Sequence, residues 1–369
     1  MKISTTTAVL GLLGLASGRT ITVTKTGGLT IQQAIEKAHP GDKIVVEKGE
    51  YNEQLTISKG LSLVGHEATL SPPSTAVNNT CSGLAGPALN LDPEHTPNIP
   101  SEAGICITGT GVHLDDFPGR EHRKFQSVDS SVKGVIVTGF TVKDFSGIGI
   151  AVVGARDTVV SGNTLINHNW YGMLAVGSVN TEFKKNGVVS TPLENPSIRL
   201  IGICMDDKNP ASVHDNDIDG YWLGLCVQTS GMNVYKNKVH NTCIGAFVDP
   251  GVDGAKVHDN EISHVGANCK DNGIFGNAPG YQFSFGIGIF GARNTQVKNN
   301  VITDMHRYGV WILDQNGLAS GNVIEKNTIN TLSSPVDPED IDIENDSAGK
   351  GNVVKKNNVC VTSFPAGLC

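Results

Sequence analysis

Three polar residues occupy the same station of a repeated stretch: Asp206 in "GICMD", Gln228 in "GLCVQ" and Asp249 in "GAFVD", each four residues after a glycine. If these stretches stack in register, the three side chains form one column. Carboxylates two coils apart then have Cα atoms about 10 Å from each other. Side-chain flexibility brings them into the ~6.5–9.5 Å range of an inverting glycosidase, where one acid protonates the leaving oxygen and the other activates water. Asp207 stands beside the first acid and Asp253 follows the third after a turn. The ordinary alternative is a solvated acidic turn.

With the glycine as position zero, residues at −1, +1 and +3 are almost all aliphatic, as in Ile201, Ile203 and Met205, and are expected to point inward. Period-two alternation then turns −2, +2 and +4 outward. That outer band carries Trp170, Trp222 and Arg307 at −2, and Phe247, Phe290 and Trp311 at +2, counting from Gly288 for Phe290. Such a band needs a cover. It either floors a groove where Trp and Phe stack on sugar rings, or it is buried under insertions at 188–199 and 266–285. His168, in "NHNWYG", is the histidine placed to act as a general base. His214 and His258 read as turn residues. His113, Asp115, Asp116 and His122, in "HLDDFPGREHRKF", read as a solvated loop.

The elements that must position these residues repeat at about 22 residues. A glycine opens each alternating strand, at 149, 172, 202, 224, 245, 288 and 309. An asparagine flanked by aliphatic residues follows, at 163, 186, 216, 237, 260, 300, 327 and 357. Units of this size with short strands and turns stack as coils of a solenoid. A side-chain amide at the bend can pair with its equivalent one coil away. The fold class expected is all-β, a single-stranded right-handed parallel β-helix. In "TIQQAIEKAHPGD", Ile31, Ala34, Ile35 and Ala38 share one helical face, which predicts a short N-terminal capping helix.

"TIQQAI", "PGDKIVVEKGEY" and "LSLVG", followed by this coil pattern, resemble the right-handed β-helix proteins of the pectin-lyase-like superfamily over roughly residues 20–360. The resemblance implies the fold; that architecture hosts several chemistries. "CMDDK" at 204–208 is similar to the Asp-Asp motif of polygalacturonases. Val176 and Gln228 stand where that family has Asn-Thr-Asp and Gly-His-Gly. Pectate lyases imply a second chemistry, with Ca²⁺ held by Asp206, Asp207, Asp249 and Asp253 and an arginine, Arg293 or Arg307, facing the substrate.

The chain has 369 residues and a net charge of −8, with basic residues scattered, which argues against nucleic acid as a partner. "MKISTTTAVLGLLGLASG" reads as a signal peptide over 1–18, leaving one β-helix domain over 19–369, secreted, extracellular and monomeric, with no membrane contact. Eight cysteines in an exported chain favour disulfides over metal. Cys204 and Cys226 share a station; Cys81 with Cys106, Cys243 with Cys269 and Cys360 with Cys369 are the remaining pairs expected. Asn78 and Asn345 begin sequons. The leading expectation is a polysaccharide lyase or glycoside hydrolase acting through Asp206, Asp207 and Asp249. The alternatives are a carbohydrate-binding or surface-structural protein, and a small-molecule enzyme with an apolar pocket.

Overall fold

A short strand in a solenoid buries aliphatic side chains on one face and gives its backbone hydrogen bonds to the coils before and after it. The computed structural model describes residues 18–85, 101–115, 122–191, 199–266, 269, 284–331 and 340–369. Nearly all of the expected leader, Asp116 and most of both insertions lie outside the described residues. Among these residues, thirty strands join one parallel sheet that winds on itself coil by coil. Along the wall that matters most, Tyr171–Lys184 pairs with Ile201–His214. Leu223–Val227, Ile244–Val248, Phe285–Phe290, Tyr308–Leu313 and Ile341–Asp346 follow in order. The architecture is the expected all-β, right-handed parallel β-helix. Its N-terminal end is closed by a helix, Ile31–Lys37. Thr30 and Gln33 cap that helix reciprocally, and Ile31, Ala34 and Ile35 are buried.

The asparagines form a continuous internal ladder. Asn237 Oδ1 accepts both the backbone N–H and the side-chain amide of Asn216, and its own Nδ2 donates to Val213 O and to Asn260 Oδ1. The same exchange runs from Asn163 through Asn186, Asn216, Asn237, Asn260, Asn300 and Asn327. It ends on Asn358 rather than on the expected Asn357, which instead accepts the Lys326 amide. The residue before each rung from Asn163 to Asn327 is left-handed, even when it is Lys185, Asp215, Lys236 or Lys326, with φ of 53–58°. That conformation costs about 1–2 kcal/mol for an L-residue. Several buried hydrogen bonds at about 1 kcal/mol each offset it.

One expectation about direction is wrong. Residues at −1 do not face the interior: Tyr171, Ile201, Leu223, Ile244, Phe285 and Tyr308 belong to an apolar cluster on the outer side of the wall. The glycine itself faces inward, where a Cβ at Gly224 would lie 2.3 Å from Val239 Cγ1 and one at Gly202 2.5 Å from Ile218 Cγ2. Glycine lets the corner strand approach, and alternation restarts there. Positions +1 and +3, such as Ile203 and Met205, do fill the core. The register also moves by two residues in one coil, because Phe285 pairs with Ile244. Gly286, not Gly288, is the equivalent glycine, and Phe290 stands at +4.

Of the residues read as a solvated loop, His113 belongs to an antiparallel strand pair, Thr110–Leu114 with Phe125–Ser130, and Asp115 and His122 lie between its strands. This hairpin lies against the outer wall, and a Cβ on Gly177 would meet the Phe125 ring. The four disulfides are Cys81–Cys106, Cys204–Cys226, Cys243–Cys269 and Cys360–Cys369. Asn78 is exposed, whereas Asn345 aligns with the core residue Ile312 and its Oδ1 is buried.

The ladder yields a direct test. Asn237→Ala strips partners from the amides of Asn216 and from Val213 O, so denaturant unfolding should show a loss of at least about 2 kcal/mol. Unchanged stability would contradict the ladder's role.

Candidate active site on the outer face

Three outward columns run along the wall. The +4 column reads Val176, Asp206, Gln228, Asp249, Phe290, Leu313, Asp346, and the +2 column Leu174, Cys204, Cys226, Phe247, Gly288, Trp311, Glu344. Asp206, Gln228 and Asp249 therefore share one column and point outward, as their spacing predicts. The Cys204–Cys226 disulfide ties the first two coils together two residues before Asp206 and Gln228.

A lysine and a histidine from the hairpin complete the group. Lys124 Nζ donates to Asp206 Oδ2 at 3.1 Å and to Gln228 Oε1 at 2.8 Å, and Gln228 Nε2 donates to Asp249. His122 Nε2 lies 3.0 Å from the same Asp206 oxygen, and its Nδ1 lies 3.3 Å from Tyr171 Oη. His122 is fully buried and is held by a bridge between Ala85 and His122. It is not the solvent-facing loop residue expected. Asp206 keeps 25% of its side chain exposed and Lys124 35%. Burial pushes the Asp206 carboxyl up, but the His122 hydrogen bond and the Lys124 charge outweigh it and hold the group below the ordinary aspartate value. Asp206 is a carboxylate at neutral pH.

Other candidates fall elsewhere. Asp207 points inward, one residue past Asp206, and joins a second ladder: the Ser178 amide donates to Asp207 Oδ1, and the Asp207 amide to Thr229 Oγ1. His168 is enclosed in the coil, with Nε2 on Val142 O and its ring stacked on Phe145. Burial depresses it to about 3, so it is a neutral core histidine. Asp253 and Arg293 bridge across the next face of the coil as an exposed ion pair at 3.5 Å. The four aspartates named for calcium thus do not converge. No three His, Cys, Asp or Glu side chains among the described residues gather as a metal site. Arg307 sits two coils beyond Asp249, with its amide on Asp340 and its guanidinium over the Tyr308 ring.

The aromatic band is largely packed against itself. Phe247 meets Phe290 at 4.9 Å, Phe290 meets Trp311 at 4.8 Å and Tyr308 meets Trp311 at 4.4 Å. Trp222 and Phe290 are buried, while Trp170, Phe247 and Trp311 stay partly exposed. The accessible surface is therefore the polar column flanked by these three rings, with Glu344 beyond Trp311. Lys124, Tyr171 and Glu344 were not singled out in the sequence. The cluster of charge in "REHRKF" was the available signal for Lys124.

A family model described as a right handed beta helix region matches residues 201–366. A polygalacturonase from Erwinia carotovora superposes with TM-score 0.58 at 11% identity, over 94% of this chain and 95% of that one. The fold is a right-handed parallel β-helix, shared with that polygalacturonase. An alginate lyase from Paenibacillus aligns with TM-score 0.48 at 15% identity, over 94% of this chain and 99% of that one. A mannuronan epimerase module from Azotobacter vinelandii aligns with TM-score 0.49 at 13% identity, over 90% and 91%. No curated protein sequence matches this β-helix chain.

Asp207 carries a pH signature. Burial raises its carboxyl to about 7, with the Asp206 charge adding to the shift and Thr181 and the Ser178 amide opposing it. The folded chain therefore holds a proton that the unfolded chain releases near pH 4, so stability falls as pH rises from about 4 to 7, by up to roughly 4 kcal/mol. Asp207→Asn should melt higher than the parent at pH 8 and equally near pH 4. A constant difference across that range would contradict the buried proton.

Proposed function

We propose that this protein is an exported glycan-active enzyme, a polysaccharide lyase or glycoside hydrolase working at Asp206 and Asp249. One observation carries the reading. Two outward-facing carboxylates on one column are joined through Lys124 and Gln228, beside partly exposed rings. Four disulfides favour an oxidising compartment. The polygalacturonase agrees in fold, and the glycan reading extends that likeness to this chain.

In this reading Asp206, held ionised, takes the proton from water or from the sugar. Lys124 sits where it can stabilise negative charge that develops on the substrate. Asp249, two coils on, lies at about the separation at which a carboxyl can serve the opposite side of the bond. Phe247, Trp170 and Trp311 offer edges and faces to the sugar rings. A carbohydrate-binding role is the second reading, favoured by the mutual satisfaction of Lys124, Asp206 and Gln228.

Asp206→Asn and Asp249→Asn should each lower turnover of a responsive polysaccharide at least about 100-fold. Ultraviolet absorbance of an unsaturated product identifies elimination; new reducing ends without it identify hydrolysis. Full turnover in both variants contradicts the reading. Binding with no turnover in the parent favours the binding role.

A further inference from the structure

The charges on the accessible wall are unevenly distributed. Asp206, Asp249 and Asp346 stand on its +4 column and Glu344 on its +2 column. Against them stand Lys124, whose ammonium is engaged by Asp206 and Gln228, and Lys208, two residues past Asp206, whose ammonium lies over the Phe125 ring. Arg307 lies off to the side at −2, over Tyr308. Burial raises the Glu344 carboxyl above the ordinary glutamate value, the Asp346 charge raises it further, and Arg307 does not cancel the shift. A sugar carboxylate placed beside Trp311 would meet the same opposition. Outside the described residues, the segments 86–100, 116–121, 192–198, 270–283 and 332–339 contain eight acidic and two basic residues, so they hold few cations in reserve.

Resting on the glycan reading, we infer that the polymer this face takes is uncharged, rich in hydroxyl groups, and not a polyuronate, which leaves hydrolysis as the reaction, since elimination needs a uronyl group to acidify the proton removed. Carboxylates accept hydrogen bonds from sugar hydroxyls without needing a counter-charge. Phe247 and Trp311 supply the apolar surface on the same columns. A polyuronate carries a negative charge on each sugar and would set it opposite a row of protein carboxylates, a repulsive element that discriminates between otherwise similar chains. At the Asp206 end the Lys124 ammonium is already engaged by Asp206 and Gln228, so a uronate there would compete with an existing contact.

Affinity electrophoresis of the full chain tests this, using gels of xylan, β-glucan and galactan beside gels of polygalacturonate and alginate. A neutral polymer should retard the protein at least about tenfold more strongly than either polyuronate at low salt, and the gap should narrow as salt screens the charges. The double variant Glu344→Gln with Asp346→Asn should gain retardation by polyuronate. Equal or stronger retardation of the parent by polyuronate overturns the inference, and so does retardation by none of the polymers. Binding of a neutral polymer without turnover would sink the enzymatic reading and leave this inference standing, so the two fail separately.

Discussion

The amide ladder is the constraint on which the rest depends. Each asparagine can satisfy its neighbour's backbone N–H and side chain only if the coils lie in register, so the ladder fixes vertical alignment inside the coil. A slip of one residue would turn every side chain of a strand to the other face. The alignment that holds Asn216 on Asn237 is the same alignment that holds Asp206 above Gln228 and Gln228 above Asp249. The polar column on the outside is thus a consequence of hydrogen bonding on the inside.

The inward glycine has the second largest effect. It lets Val239 or Ile262 of the corner strand reach the backbone of the wall, and it splits the apolar residues into two clusters. The inner one stabilises the solenoid. The outer one gives the hairpin a surface to lie on, and the hairpin brings His122 and Lys124 to Asp206. Two adjacent aspartates consequently acquire opposite shifts: Asp206 outward and ionised beside a cation, Asp207 inward with its carboxyl raised by burial to about 7.

Local repetition made the fold legible. Glycine and asparagine stations predicted the solenoid, the +4 column and the pairing of Cys204 with Cys226, and the helical spacing of Ile31, Ala34, Ile35 and Ala38 predicted the capping helix. Alternation alone missed the restart at glycine, because sequence does not record which corner strand needs the space of a missing Cβ. In "FGIGIFGA" two glycines fit the pattern equally well; pairing of Phe285 with Ile244 selects Gly286. His168 looked like a base because it adjoins Trp170, yet it turns into the coil. Lys124 and His122 reach the column from 82 and 84 residues away, a contact that no local pattern encodes.

Oxidative cross-linking tests the in-register column most directly. Gln228→Cys and Asp249→Cys, introduced together, occupy adjacent coils at the same station, where a Cα separation of about 5 Å permits a disulfide. Peptide mapping by mass spectrometry should find these two thiols joined, with the four native disulfides intact. Two free thiols in a folded chain would contradict the alignment on which the candidate site is built.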